Sequence, residues 1–292
     1  MAHEPKLGQK HYSVMTKEVV AALAVTKGEV VVDATFGQGG HSKALKAAAK
    51  IKLISIDADP MAGEGVIEAN FGDLAKVADK LGLTSIDKII FDLGWNKGQL
   101  SSGRGFSFMH DEPLVMSYSE NPRSGFTAAE ILNTFTEKAL ADIFFGYGEE
   151  RYARRVAKAV VERRKTKPFE TTLELVEVIK DAVPPAYRRG RLHPATKSFQ
   201  ALRIAVNNEL GVIEEGLSAA WDLLSCGGRI AVITFHSIED RLVKRTFAQF
   251  AKGGGGKLLY KKPLVPTQKE VKENAASRSA KLRAIEKLCQ EK

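Results

Sequence analysis

The residues best suited to chemistry lie in a glycine-rich turn between an apolar run and a helical pattern. Residues 30–32 are all valine, a β-branched run typical of a buried parallel strand, and Asp33 follows at its end. Glycine lets the backbone turn tightly and approach a ligand closely. The turn residues that we predict to contact a ligand are Gly37, Gly39, Gly40 and His41. A second apolar run ends at Asp57, about twenty residues further on, where an acid can bind a ribose, so the pattern predicts a nucleoside-binding βαβ unit.

The glycine pattern fits a dinucleotide poorly. Dinucleotide sites use G-x-G-x-x-G with a pyrophosphate at the helix N-terminus, whereas this turn reads FGQGGH. Asp33 would repel a pyrophosphate but suits the cationic amino-acid part of S-adenosylmethionine. We therefore predict that cofactor, with Asp33 among its contacts. The alternative is a doubly wound domain whose glycines serve only turn geometry.

A later apolar run, residues 86–91, ends at Asp92. Because parallel strands place their carboxyl ends at one crevice, Asp92 is predicted to lie beside the cofactor. Phe71 is predicted either to flank an adenine or to be an ordinary core residue. Residues 96–123 form a long loop rich in Gly, Ser and Pro, and such loops are usually functional, although an ordered surface loop is the alternative. The candidates here for binding a phosphate or stacking a base are Trp95, Arg104, Phe106 and Phe108.

From residue 126 the pattern is helical, with capping boxes predicted at Thr127 and Thr171. Basic residues are concentrated in this region: Arg151, Arg154, Arg155, Lys158, Arg163, Arg164, Lys165, Lys167, Arg188, Arg189 and Arg191. We predict contact with an RNA backbone, chiefly through Arg154 and Arg155. The alternative is a solvated helix face.

Apolar residues at helical spacing from Phe199 to Leu224 predict one long helix with a core stripe. Arg203 and Asn207 are predicted to face the crevice as substrate contacts, as is His236 after the strand at 230–235. A helix is also predicted at 62–69 and a flexible linker at 253–256.

Composition narrows the class of protein. The chain has 292 residues and a formal net charge of +9, which favours a polyanionic partner, although a merely soluble basic protein is the alternative. Cys226 and Cys289 lack metal-ligand spacing, and no disulfide is predicted. No run approaches the roughly 20 apolar residues that span a bilayer, and no apolar leader follows Met1, so we expect a cytoplasmic protein.

Eight segments are spread over nearly the whole chain: DATFGQGGHS, IDADP, FDLG, RGFSF, YGEERYARRVAKAV, HPATKSFQALRIAVNNEL, FHSIEDRLVK and SRSAKLRAIEK. In this joint order they resemble the bacterial ribosomal RNA small subunit methyltransferase H family, also called MraW. That family is described as transferring methyl from S-adenosylmethionine to N4 of cytidine 1402 in 16S rRNA, in the decoding centre.

The resemblance implies an α/β fold of the class I (Rossmann-like) methyltransferase type, with a helical insertion between the fourth and fifth strands. We predict the methyltransferase domain at 1–112 and 198–292, and a substrate-recognition insertion at 113–197. The implied partner is 16S rRNA or the small ribosomal subunit, without a membrane or a metal, and the protein is expected to be a monomer or homodimer.

The resemblance also implies roles for single positions. Gly39, Gly40 and His41 match the cofactor loop of the family. Asp57 matches its ribose-binding acid, and Phe71 matches the aromatic residue beside the adenine. Asp92 and Gln99 match the remaining cofactor contacts. Asp92 is in addition the predicted catalytic residue, because an acceptor can hold the protons of N4. The chain departs from the family at 95–98, where two serines are replaced, and at 113–119, where two acids and an arginine are absent.

Two other functions stay open at this point. A methyltransferase acting on another RNA or on a small molecule would keep the cofactor residues. A non-catalytic ribosome-assembly factor would bind S-adenosylmethionine but transfer no methyl group, and the altered segment at 113–119 favours it.

Overall fold

The computed structural model describes residues 13–59, 62–93, 103–120 and 122–289. The strands in these ranges are β1 (Val30–Asp33), β2 (Lys52–Asp57), β3 (Ile67–Glu68), β4 (Ile86–Asp92), β5 (Leu224–Thr234), β6 (Gly256–Leu258) and β7 (Lys281–Lys287). The α-helices in the same ranges are α1 (Thr16–Leu23), α2 (Gly40–Ala48), α3 (Leu74–Leu81), α4 (Ala128–Thr134), α5 (Glu137–Gly148), α6 (Ala153–Arg164), α7 (Thr172–Ala182), α8 (Pro185–Arg188), α9 (Thr196–Asn207), α10 (Glu209–Leu223), α11 (Ser237–Ala251) and α12 (Gln268–Glu273). None of these helices combines the length and the apolar character needed to cross a bilayer.

The described strands form one sheet in the order β3-β2-β1-β4-β5-β7-β6. Strands β1 to β5 pair in parallel, and β7 is antiparallel to both β5 and β6. Val31 and Val32 are fully buried, as expected for a central strand covered on both faces. Asp33, Asp57 and Asp92 end β1, β2 and β4, so they lie along one edge of the sheet. The predicted α/β class is confirmed, and the helical insertion does lie in the chain between β4 and β5.

The chain divides into two compact units, and the first contains residues 1–94 and 211–292. Its core includes Val19, Val31, Leu45, Ile90 and Leu282. Asp240 on α11 accepts hydrogen bonds from Lys281 and Arg283 on β7, at 3.1 and 2.7 Å. These bonds tie α11 to the antiparallel part of the sheet.

The second unit contains residues 95–210 and is mostly helical. Both predicted capping boxes are confirmed: Thr127 and Glu130 cap α4, and Thr171 and Glu174 cap α7. The large side chains of its core come from the helices, from the loop before α4 and from the segment before α7: Phe106, Met116, Phe144, Phe169 and Phe199.

The helical unit is wider than the predicted insertion at 113–197. The amide of Leu114 donates to the carbonyl of Glu170, so the loop before α4 pairs with the segment before α7. Within this loop, Gly105 permits a close approach to Pro113, because its φ is 82° and a Cβ there would clash with the carbonyl of Pro113. Helix α9, assigned by the sequence to the methyltransferase domain, packs against α5.

Two helix predictions are wrong. Asn208 adopts a left-handed conformation, with φ 48°, and separates α9 from α10 where one long helix is predicted. Residues 62–69 are not helical. Gly63 and Gly65 have φ values of 138° and 76°, outside the helical region, and β3 then pairs with the end of β2.

Two predictions about the C-terminal part are also corrected. Cys226 and Cys289 form a disulfide with their Cα atoms 5.0 Å apart. Arg229 pairs with Glu286 across β5 and β7, and continuing that antiparallel register brings position 226 opposite 289. The glycines at 253–256 are not a linker, because they form a 3₁₀ turn and the first residue of β6.

Candidate active site

The glycine turn is held by the acid at the end of β2. The amide of Gly37 donates to Oδ2 of Asp57 at 2.6 Å, and the amide of Asp59 donates to Oδ1 at 2.8 Å. A Cβ on Gly39 would lie 2.5 Å from the ring of Phe36, so glycine is required there. The structure therefore brings together the predicted cofactor loop and the predicted ribose acid.

Asp33 supports this turn from inside. It is 1% exposed, and its carboxylate accepts hydrogen bonds from the Ser42 hydroxyl at 2.6 Å and the Thr35 amide at 3.3 Å. Burial raises the pKa of Asp33, while the bond from Ser42 opposes the rise. Because its side chain is almost fully buried, unlike that of Asp57, and both of its oxygens are engaged within the protein, Asp33 fits a support of the turn rather than the direct cofactor contact that the sequence predicts.

Asp92 and His41 form the polar centre of the site. Nε2 of His41 lies 3.3 Å from Oδ2 of Asp92, and the amide of Asp92 donates to the Thr35 hydroxyl at 2.6 Å. Within the described residues, Nδ1 of His41 and Oδ1 of Asp92 are buried and have no hydrogen-bond partner. Buried polar groups are normally satisfied, so these two atoms indicate a place where a bound molecule completes the hydrogen bonding.

Phe71 begins a 3₁₀ turn and is partly buried. Its ring packs edge-on against Phe91, with centroids 5.6 Å apart, and a Cβ on Gly216 would lie 2.8 Å from it. The ring is thus held in place. Both interpretations of Phe71, as an adenine contact and as an ordinary core residue, stay predictions. Trp95 and Gln99 lie outside the described residues.

The two phenylalanines of the long loop that are predicted to stack on a base have different environments. Phe106 is 4% exposed and stacks on Tyr118, with centroids 5.3 Å apart, and Arg104 donates to the carbonyl of Tyr118. Phe106 is therefore a core residue rather than a base-stacking one. Phe108 is only partly buried and stacks on His193.

Arg203 and Asn207 are internal to the helical unit. Arg203 is 3% exposed and donates to both carboxylate oxygens of Glu209, at 2.7 and 2.8 Å. Asn207 donates to the carbonyl of Met116 and accepts from the amide of Tyr118. The prediction that both face a substrate is corrected, because both side chains are buried and bond within the unit. They anchor the loop before α4 and the end of α9.

The basic residues fall into two groups. Arg154 and Arg155 are exposed on α6, and no acid pairs with either in the described part of the chain. Four other cations contact groups of the chain itself. Arg163 and Lys167 pair with Glu174, Lys165 pairs with Glu162, and Arg164 donates to the carbonyls of Leu132 and Phe135. Arg154 and Arg155 are therefore open to a partner.

His236 begins α11 as part of a third capping box. Its Nδ1 accepts from the amide of Glu239 at 3.3 Å, and Glu239 accepts from the amide of His236. Sequence reasoning missed this box because histidine is not among the usual cap residues. It also missed Thr35 and Ser42, although hydroxyl side chains flanking the turn were a usable signal.

The sheet order, with β7 antiparallel between β5 and β6, and the carboxylates along its edge define a class I methyltransferase fold. The chain belongs to the MraW methylase family, whose model matches residues 8–288. Methyltransferases of this family use S-adenosylmethionine, which is the cofactor of this protein.

Curated relatives match over nearly their full length. Two examples are both named ribosomal RNA small subunit methyltransferase H. That of Persephonella marina is 42% identical over 96% of this chain and 99% of its own. That of Carboxydothermus hydrogenoformans is 44% identical over 95% of this chain and 98% of its own. A solved structure of a putative methyltransferase from Streptococcus mutans in complex with SAH has 13% identity and a TM-score of 0.42, over 94% of this chain and 95% of that one.

The residues present fit this cofactor. The unpartnered Nδ1 of His41 leaves buried hydrogen-bonding capacity beside the turn. A Cβ built on Gly37 has no heavy atom within 4 Å among the described residues, so the first glycine of the turn borders open space. The residues that we propose to hold the cofactor are Gly37, Gly39, Gly40, His41, Asp57 and Phe71.

Proposed function

We propose that this protein transfers a methyl group from S-adenosylmethionine to the exocyclic N4 of a cytidine in 16S rRNA, position 1402 of the decoding centre, in the cytoplasm. The names of the curated relatives support ribosomal RNA of the small subunit as the substrate. The observation that carries the proposal is the buried, unpartnered Oδ1 of Asp92 at the carboxyl end of β4.

The cofactor supplies an electrophilic methyl carbon on its sulfonium. Cytosine N4 is a poor nucleophile, because its lone pair is delocalised into the ring. Oδ1 of Asp92 accepts a hydrogen bond from N4 and so favours a more tetrahedral nitrogen with an available lone pair. Held at the glycine turn, the cofactor would supply the methyl carbon to N4 and would leave as the neutral thioether, and Asp92 would accept the one proton that N4 loses.

Positioning contributes most of the catalysis, since holding two reactants at near-attack distance replaces an entropically costly encounter. His41 fixes the carboxylate by its contact with Oδ2, and Thr35 fixes the backbone of Asp92. The two contacts leave Oδ1 as the oxygen that meets the substrate.

The RNA must present its cytosine outside the base stack, which costs a few kcal/mol. We propose that Trp95 or Phe108 offsets this cost by stacking, and that Arg154 and Arg155 contact phosphates. The exposure of both arginines and the absence of an acid partner within the described residues support this role.

The test is methyl transfer from labelled S-adenosylmethionine to small subunits that lack the modification, followed by nucleoside analysis. We expect N4-methylcytidine at one site, and no transfer to subunits that are already modified or to large subunits. Detection of a different methylated nucleoside would show that the enzyme acts on another base or position than the one proposed. Cofactor binding without any transfer would instead make the protein a non-catalytic binding factor.

A further inference from the structure

The helical unit contains a cavity of about 440 Å³ that the proposed reaction does not use. It lies where the end of α7 faces the segment that follows α8. Its lining residues are Glu177, Lys180, Asp181, Arg188, His193 and Pro194. The volume is within the range of small-molecule sites, and it suits a single nucleotide.

One wall of the cavity is an aromatic ring held in a fixed orientation. The His193 ring stacks on Phe108, with centroids 4.7 Å apart and an interplanar angle of 7°, and Phe108 packs edge-on against Phe199. Two conspicuous sequence segments, RGFSF and HPATKSF, thus meet at this wall. Because Phe108 covers one face of the imidazole, a further ring can stack only on the other face.

The protonation of His193 suits stacking. The amide of Ala195 donates to Nδ1 at 3.3 Å, which leaves the hydrogen of the neutral ring on Nε2. Burial lowers the pKa of His193, and the charge of Lys180 lowers it further. The wall is therefore a neutral aromatic face with an N–H donor at its edge.

The remaining lining groups carry both charges. Arg188 is anchored by a bond from Nε to the carbonyl of Val183, and Lys180 is exposed beside it. Glu177 and Asp181 supply carboxylate acceptors, and Oδ1 of Asp181 lies 3.9 Å from the guanidinium of Arg188. Arg189 and Arg191 are exposed close by in the chain, and neither has an acid partner in the ranges that the structure describes. Such cations extend the site towards a polymer with several phosphates.

We propose that this cavity binds one unpaired nucleotide of single-stranded RNA, other than the one that is methylated. The base stacks on His193, its amino group donates to Glu177 or Asp181, and Lys180 and Arg188 contact the flanking phosphates. The carboxylates select adenine, cytosine and guanine over uracil, which has no amino group. The identity of this RNA as 16S rRNA rests on the proposed function, whereas the base preference does not.

The test is fluorescence anisotropy of the full chain with labelled hexanucleotides of cytidine and of uridine. We expect tighter binding of oligocytidine. Lys180→Glu should weaken binding of both by about tenfold, since it removes a phosphate contact and adds a repulsive charge. The matched control is Lys138→Glu on α5, whose side chain pairs with Asp142 and does not line the cavity; it should bind like the wild type.

A second pair of variants tests the base contact. Glu177→Gln with Asp181→Asn introduces amide donors that suit the carbonyl oxygen of uracil, so the preference for oligocytidine should narrow or reverse. The His193 ring signal in NMR spectra of the wild type should shift on addition of oligocytidine, a readout that needs no variant. An unchanged ring signal, or an unchanged preference in the double variant, would overturn the proposal.

The outcome is separable from that of the proposed function. If the protein prefers oligocytidine as predicted but forms no N4-methylcytidine, the nucleotide site stands and the proposed reaction is wrong. If N4-methylcytidine forms but none of the predicted binding effects is seen, the proposed reaction stands and the nucleotide site is wrong.

Discussion

Nε2 of His41 contacts Oδ2 of Asp92 at 3.3 Å, and Oδ1 of the same carboxylate has no partner in the described part of the chain. The imidazole therefore determines which oxygen is left for a substrate. His41 thus acts through Asp92 and does not itself contact the reacting atoms.

We expect His41→Ala to lower the single-turnover rate of methyl transfer by about 10- to 100-fold, the value of one hydrogen bond to a charged group. His41→Gln, which keeps an N–H near the position of Nε2, should retain more of the rate. Cofactor affinity measured by calorimetry separates this effect from weaker binding. An alanine variant as fast as the wild type would show that Asp92 needs no such support.

Arg154 and Arg155 are expected to bind RNA phosphates. Replacing both by alanine should reduce the slope of log affinity against log salt concentration by about 2, one unit for each lost contact. The measurement is a filter-binding titration with 16S rRNA at several salt concentrations. Lys138→Ala on α5 serves as the control, and a double variant with the wild-type slope would place the RNA elsewhere.

Glu174 makes the stability of the helical unit sensitive to acid. Burial raises the pKa of this carboxyl, but bonds from Lys167, from the amides of Glu170 and Thr171, and from Arg163 lower it from 4.5 to about 2. A depressed pKa in the folded state stabilises the protein above the unfolded value, and that stabilisation is lost as the pH falls from about 4.5 towards 2.

The free energy of unfolding should therefore decline across this window, as measured by urea denaturation at a series of pH values. Glu174→Gln should be less stable at pH 7 and should show a flatter decline. Equal slopes for the variant and the wild type would mean that other carboxyls dominate the acid response.

The Cys226–Cys289 disulfide closes a loop with a sequence separation of 63 residues. Loop closure of this length restricts the unfolded chain, so reduction should lower the free energy of unfolding by about 2 to 4 kcal/mol. Denaturation with and without a reductant measures the difference. Cys226→Ser should behave like the reduced protein and be insensitive to the reductant, whereas a wild type insensitive to reductant would contradict the prediction.

The sheet edge was predictable because its signals are local. The valine run, the glycine turn and an acid after each apolar run follow from strand and turn chemistry, and the order of parallel strands then gathers Asp33, Asp57 and Asp92. The capping boxes at Thr127 and Thr171 are local in the same way.

The corrected predictions depended on long-range partners. Cys226 and Cys289 meet only through the antiparallel register of β5 and β7, which no spacing reveals. Arg203 has the helical spacing of a crevice residue, but its partner Glu209 lies beyond the break at Asn208. Arg164 belongs to a basic run, yet it bonds to carbonyls at the end of α4. Charge and periodicity cannot separate such internal roles from exposed ones.

The most direct test of the central claim is single-turnover methyl transfer to unmodified small subunits by Asp92→Asn, compared with the wild type. Asparagine keeps the size of the side chain but is a weaker acceptor and cannot take up the proton from N4. We predict that N4-methylcytidine forms at least about 100-fold more slowly, as for loss of a charge-stabilising group at a reacting centre. A variant that binds the cofactor and forms N4-methylcytidine at the wild-type rate would contradict the assignment of Asp92.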